Sequence, residues 1–443
     1  MGTLWTRLVV WSFVVAGGAS AAAEPGELRP PDAADPARAR EALSGTGSVV
    51  NAAWWGFDEH DATGAIQGAI DSGAATVVVP YVGRPWIVTP IALRSDLDLV
   101  FEPGVLVVAK AGAFKGKGDC LFRAVNANDV TLRGYGATLR MRKDDYQSEP
   151  YQPAEWRMTL DFMGCRRVRV EGLRLENSGG DGIYLGATEE LPYCADVAIR
   201  DVVCHGHHRQ GISVISAVNL LIENCALSST GGTSPEAGID LEPNRPEEKL
   251  VNCVIRNCVM ADNAGAGILV YVKNLSRTSD PVSVLFERCL VRGGRDAGIA
   301  VGALKDDGPQ GVIEFRDCTV ENTAKAGLYV YDKSCLGAGL RFVNCHWRNT
   351  WAAADVEHDG PRIPLMLALR RPQLVEHLGG LTFVDCSVYD SVDRPAFLVE
   401  EDESALGVTD LTGVIWVANP HGARMELGAK TERVTLVARP ATD

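Results

Sequence analysis

The chain has 443 residues, of which 46% are hydrophobic and 23% charged, a globular composition that excludes a disordered protein. Its formal net charge of −14 argues against nucleic acid as a partner, because phosphate binding needs a basic surface. The same charge counts against a long polyanionic substrate unless a local basic groove overrides the average.

The N-terminus carries Arg7, an apolar run LVVWSFVVAGG and the small residues ASAAA. That pattern predicts a secretory signal peptide over residues 1–23, with cleavage near Ala23. The apolar run is too short for a spanning helix, so the expectation is a secreted or periplasmic protein with no membrane association after cleavage. Residues 24–44 are rich in Pro and Ala and predict a flexible leader. DATGAIQGAIDSG, residues 61–73, has apolar positions at helical spacing and predicts a short helix ahead of the strand TVVVP.

From there two phrases recur in step. The first is DGIYLG, QGISVI, AGIDLE, AGILVY, AGIAVG and AGLYVY, whose glycines Gly182, Gly211, Gly238, Gly267, Gly298 and Gly327 are 29, 27, 29, 31 and 29 residues apart. The second is IENCAL, IRNCVM, FERCLV, FRDCTV, FVNCHW and FVDCSV. Each GI phrase alternates apolar and other residues with β-branched enrichment, which is a strand signal, and periods of this length indicate a solenoid. The prediction is an all-β chain, a right-handed parallel β-helix with a short N-terminal capping helix. The β-helix domain with its cap is assigned to residues 45–403, the solenoid proper to roughly 75–400, and a C-terminal β capping segment to 404–443.

The recurrence also bears on the twelve cysteines. Cys225, Cys258, Cys289, Cys318, Cys345 and Cys386 share one phase of the repeat, which predicts a stacked column of buried, reduced thiols behaving as small hydrophobes.

The stretch FDEHDATGAIQGAIDSGAATVVVPYVGRPWIVTPIALRSDLDLVFEPGVLV resembles the opening of pectin-lyase-fold enzymes, especially polygalacturonase-like glycoside hydrolases. That resemblance covers most of the mature chain at fold level and implies a polysaccharide or oligosaccharide partner. In the family one coil carries Asn-Thr-Asp-Gly, the next an Asp-Asp pair and the next Gly-His-Gly. Here NSGGDGI offers Asp181 at the first position, Arg209-Gln210 stands at the acidic pair and Glu236-Ala237 at the third.

Alternation places the residue after each GI isoleucine on the outer face, which singles out GIDLEPN. Asp240 and Glu242 are expected 6.5–7 Å apart on one strand face, near the separation of an inverting glycosidase pair. Asp181 is expected about 10 Å from Asp240 along the axis, two coils away. These three are the candidate catalytic carboxylates; a solvated, salt-bridged strand face is the alternative. CHGHHRQGIS supplies His207, His208 and Arg209, which with Glu236, Tyr184 and Tyr271 are the candidate substrate-binding residues. No zinc-type spacing occurs and no cofactor is expected, although the oxygens of Asp240, Glu242 and Glu236 could hold calcium. The favoured function is a glycoside hydrolase using carboxylate acid/base catalysis. A lyase or epimerase using His207, His208 and Arg209 is second, and a non-catalytic carbohydrate-binding β-helix third.

Overall fold

A computed structural model describes residues 33–43, 48–351, 362–371, 374, 376–401 and 406–441. The expected signal peptide lies outside the described residues, as do residues 24–32 and 44 of the leader. Leader residues Pro36–Leu43 form a helix, α1, that buries Ala39 and Ala42, so this part of the leader is ordered rather than extended coil. The predicted capping helix is α2, Thr63–Asp71, whose buried Ala65, Ile66, Ala69 and Ile70 form one face. Among the described residues no helix is long and apolar enough to cross a membrane.

The paired strands are all parallel and stack into two sheets. A 12-stranded sheet forms one face of the solenoid, and a 25-stranded sheet forms the other two. The seven strands that matter most belong to the former: β1 Leu160–Met163, β2 Ile183–Gly186, β3 Ile212–Val214, β4 Ile239–Leu241, β5 Ile268–Tyr271, β6 Ile299–Leu304 and β7 Leu328–Lys333. Their register aligns Ile183, Ile212, Ile239, Ile268, Ile299 and Leu328, as the GI phrase predicts. All six are fully buried in the lumen. The glycine before each has a steric origin: a Cβ on Gly182 would lie 2.6 Å from the Gly211 carbonyl oxygen, and one on Gly238 2.7 Å from that of Gly267. Glycine is what lets successive coils close to strand spacing there.

The second phrase marks a corner. Asn224, Asn257, Arg288, Asp317, Asn344 and Asp385 all take left-handed conformations, with φ of 56, 53, 50, 54, 49 and 50°. The first five each separate two strands, for example Ala217–Glu223 from Ala226–Ser228, whereas Asp385 lies within Leu378–Tyr389. Asn and Asp tolerate this region because their short polar side chains bond locally, and they do so in columns: Asn344 Nδ2 donates to Asp317 Oδ1 at 2.7 Å. Arg288 breaks the pattern. Arg288→Asn should therefore raise the thermal midpoint by about 1–2 °C in calorimetry. A lower midpoint would show that the Arg288 Nε to Asn257 Oδ1 bond outweighs the backbone relief.

Just past each corner the cysteines stack. All twelve cysteines are unpaired, and the six in phase are buried. Their thiols donate to the carbonyl of the preceding coil, from Cys345 to Phe315 at 3.3 Å and from Cys386 to Phe342 at 3.4 Å. Beside them Phe286, Phe315, Phe342 and Phe383 stack with centroids 4.9, 5.2 and 5.0 Å apart. Alkylation of the denatured, unreduced protein should label twelve thiols; a mass shift for fewer would overturn the reduced column.

The C-terminal segment is more than a cap. Val408–Ala418 pairs in parallel with Leu378–Tyr389, so the solenoid gains a further coil beyond residue 403. These two long strands run through the corner and join two ladders into the 25-stranded sheet.

Candidate functional site

The residue after each inward isoleucine forms an outer column on the 12-stranded sheet: Asp161, Tyr184, Ser213, Asp240, Leu269, Ala300 and Tyr329. Parity is as the alternation predicts, yet the middle of the column is not solvated. Ser213 and Asp240 are both 0% exposed. A long excursion ahead of β1 packs over Asp181 and the His207–His208 turn. Its anchor is Arg157, which is fully buried, bonds the carbonyls of Phe114 and Gln152 at 2.9 and 2.6 Å, and lies over the Tyr146 ring. The excursion ends beside Asp181: Met158 accepts the Asp181 N–H and Thr159 N–H donates to the Asp181 carbonyl at 3.0 Å. Lys143 reaches the His207 carbonyl and Gln147 reaches His208, both at 3.4 Å, tying the excursion to the neighbouring coil.

Three carboxyls converge on one guanidinium. Arg209 stands 3.8 Å from Asp181 and 3.6 Å from Glu242. Asp240 accepts from Gln210 Nε2 at 3.0 Å, and the Gln210 backbone N–H donates to Asp181 Oδ1 at 3.0 Å. Asp240 and Glu242 come close enough to share a hydrogen bond when one is protonated, closer than the 6.5–7 Å that strand rise predicts. The reason is that β4 stops at Leu241, so Glu242 leaves the strand and turns back. Asp181 and Glu242, one on either side of Arg209, are likewise drawn to a common centre across coils.

Electrostatics follow from enclosure. Burial pushes the Asp181 carboxyl up to about 7, and the neighbouring Arg209 charge only partly offsets it. Burial also holds Asp240 well above the usual carboxylate range, reinforced by the adjacent Glu242. Burial works against the charge on Arg209, but Asp181, Asp240, Glu155 and Glu242 together keep it protonated. Asp181 Oδ2, Asp240 Oδ1 and Arg209 Nε are buried polar atoms with no hydrogen-bond partner in the chain. Such a group of unsatisfied atoms is what a ligand or an ordered water completes.

The binding residues expected from sequence separate into two groups. His207 is fully buried, its Nδ1 bonded to Ser178 Oγ at 2.8 Å, and burial depresses it to about 3. It is a neutral internal brace rather than a substrate contact, because Gly206 turns the chain and aims the ring into the coil. His208 is nearly enclosed and bonds Thr233 Oγ1 at 2.9 Å. Glu236 folds its carboxylate onto the Gly232 N–H at 2.6 Å. It is therefore turned away from Asp240 and Glu242, and Arg209 already supplies the positive charge between the acids. Among the described residues no acid, His or Cys cluster has the geometry to hold a metal ion.

Glu242 and Tyr271 open instead onto a cleft of about 290 Å³ lined by Leu269, Tyr331, Asp332, Arg370 and Arg371. Tyr271 and Tyr331 stack at 6.4 Å, Tyr331 and Tyr329 at 5.3 Å, and the Arg370 guanidinium lies 5.2 Å from the Tyr331 centroid. Asp332 fixes the arginines by accepting from the N–H groups of Arg370 and Arg371 at 2.7 and 3.0 Å. Tyr184 sits half-buried on the other side of Ser213, beside Asp161, whose partner is Arg123. Gln210, Asp161, Arg370 and Arg371 were not among the expected site residues. Only Gln210 left a trace in the sequence, through its place next to Arg209 in the repeat. The polar stretch 351–362, whose length between coils also suits a groove wall, lies mostly outside the described residues.

A family model described as a right-handed beta helix region matches residues 160–305, the stretch that carries the acids. Over 170 residues the chain is 24% identical to the SPbeta prophage-derived uncharacterized protein YorA of Bacillus subtilis (strain 168), covering 36% of this chain. The chain spans only 29% of that relative's length. Among solved structures it is similar to the Dettilon tailspike protein, with TM-score 0.52 and 13% identity over 86% of this chain and 68% of that one. It is also similar to the surface protein and adhesin PfbA of Streptococcus pneumoniae, with TM-score 0.51 and 13% identity over 88% of this chain and 99% of that one. At such identities the likeness is one of architecture, and it agrees with the coil register: the chain is a right-handed parallel β-helix.

Proposed function

We propose that the protein is a secreted carbohydrate-active enzyme, a glycoside hydrolase that cleaves a polysaccharide or oligosaccharide by carboxylate acid/base catalysis. The observation that carries this reading is the trio Asp181, Asp240 and Glu242 around a single Arg209, with Glu242 on the wall of a cleft that Tyr271 and Tyr331 also line. Three acids facing one cation cannot all ionise cheaply, so a proton is retained among them at neutral pH. Asp240, buried and titrating high, is the acid that protonates the leaving glycosidic oxygen. Glu242, a quarter exposed at the cleft, is the carboxylate that takes the proton of the attacking water. Asp181 lies behind Arg209 and, with it, sets the charge balance. Tyr271, Tyr329 and Tyr331 offer faces on which sugar rings stack. Secretion rests on the apolar N-terminal run and fits an extracellular glycan.

Two features disfavour the lyase or epimerase alternative. That chemistry needs a cation to neutralise a uronate carboxylate, but His207 is neutral and internal, and Arg209 is already committed to Asp181 and Glu242. Incubation with a broad glycan panel, read by mass spectrometry, should show products heavier by one water per cleavage. Products that instead absorb in the ultraviolet through an unsaturated uronate would establish elimination. No product from any glycan, together with retention on a glycan array, would make this a binding protein.

A further inference from the structure

Gln210 is fully buried between the two enclosed acids, and its hydrogen bonds leave no freedom in how its amide is oriented. Its Oε1 accepts from the Ala237 backbone N–H at 2.6 Å. A backbone N–H can only donate, so the oxygen of the amide must face Ala237 and the NH2 must face Asp240. That NH2 meets Asp240 Oδ2 at 3.0 Å. A proton on Oδ2 would weaken that bond, because a protonated carboxyl oxygen is the poorer acceptor of the two. Oδ1, by contrast, is buried and takes no hydrogen bond from a donor in the chain, which leaves it for the contact that Asp240 shares with Glu242.

We propose that Gln210 is a positioning residue that confines the acid proton of Asp240 to Oδ1. The inference rests on the hydrolase reading for its role in catalysis, but the proton's placement follows from the hydrogen bonds alone. A carboxylic acid in which either oxygen can carry the proton is productive only part of the time. With Oδ2 held as an acceptor, every protonated Asp240 presents its hydrogen from the one oxygen that is free to pass it on. The same residue acts on the other acid through its main chain, since its N–H occupies Asp181 Oδ1 and leaves Asp181 Oδ2 without a hydrogen-bond partner. Charged groups around Asp240 are Glu242 beyond the end of its own strand, Arg209 in the preceding coil and Asp181 one coil earlier. Glu155 of the excursion acts on Asp181 and Arg209. The following coil presents uncharged Leu269.

The test uses the full chain labelled with aspartate bearing carbon-13 in the carboxyl, with the Asp240 signal assigned by its loss in Asp240→Asn. Gln210→Met keeps bulk and removes the donor; the Asp240 titration should move to higher pH by about one unit, because the ionised form loses a hydrogen bond. Gln210→Glu keeps the shape, and the introduced carboxyl and Asp240 should titrate together in two steps. On the substrate found in the panel, both variants should lose about tenfold or more in kcat with KM unchanged, and the pH profile should follow the moved titration. If Gln210→Met and Gln210→Glu melt lower but leave the Asp240 titration and the pH profile in place, Gln210 is a packing residue and the proposal fails. If the titration moves while no glycan is cleaved, the hydrolase reading fails and the assignment of the proton stands.

Discussion

Replacing Asp240 with Asn should cost between about 10² and 10⁴-fold in kcat while leaving the melting temperature unchanged or higher. The rate effect follows because Asn has the shape of Asp but no proton of the right acidity to give a leaving oxygen. Its carbonyl oxygen can still accept from Gln210 Nε2, and its NH2 can donate toward Glu242, where the carboxyl pair now meets. The stability effect follows from burial: Asp240 is enclosed, so above neutrality the wild-type fold must either hold a costly charge or bind a proton. The measurements are initial rates and calorimetry on the same preparations. Full activity in Asp240→Asn would move the chemistry elsewhere. A large loss of thermal stability would mean that the carboxyl is structural.

The second large effect is on stability against pH. Asp181 titrates near 4 in an unfolded chain and at about 7 in the fold, with burial the cause. The folded state therefore binds a proton that the unfolded state has released throughout that window. Below the window both states are protonated and Asp181 contributes nothing. As pH rises through it the native state loses stability, and above about 7 the penalty is fully present, on the order of several kcal/mol. Asp181→Asn keeps an acceptor for the Gln210 N–H and removes the titration. The variant should melt close to wild type at pH 4 and clearly higher at pH 8, so the two curves of melting temperature against pH diverge across the window. Parallel curves would show that Asp181 is solvated or compensated, and would remove the basis for a retained proton in the site.

Much of this arrangement is legible in the sequence, for a definite reason. A stacked strand has a period of two and its neighbour repeats it in register, so Ile183, Ile212 and Ile239 point inward together and Asp240 must share a face with Ser213 and Tyr184. Parity, however, says which face and not what covers it. Asp181 is covered by an excursion whose path depends on Arg157 finding the carbonyls of Phe114 and Gln152, residues with no repeat phase to announce them. His207 was misplaced for a related reason: it follows the left-handed Gly206, and after a corner the alternation restarts with a phase the sequence does not mark. The corners themselves were visible only as Asn or Asp ahead of Cys, which reads as strand punctuation until the φ of 56° at Asn224 and 53° at Asn257 explains it. Arg370 and Arg371 reach the cleft through Asp332, a contact between residues 38 and 39 positions apart that no local pattern encodes.

The register of the coils has a consequence for where motion can occur. Each strand of the acid face is paired only with the coil before and the coil after it, so the structure is held together as a line rather than as a sphere. In such a line, opening begins at the two ends and must pass through every intervening coil before it reaches an interior one. The acids occupy interior coils, β2 to β4, with further strands of the same sheet stacked on both sides. Fraying of α1 or of Val437–Pro440 can therefore come and go without the spacing of Asp181, Arg209 and Asp240 being disturbed. Length, in this fold, works as insulation: the outer coils keep the terminal fluctuations away from the coils that carry the acids.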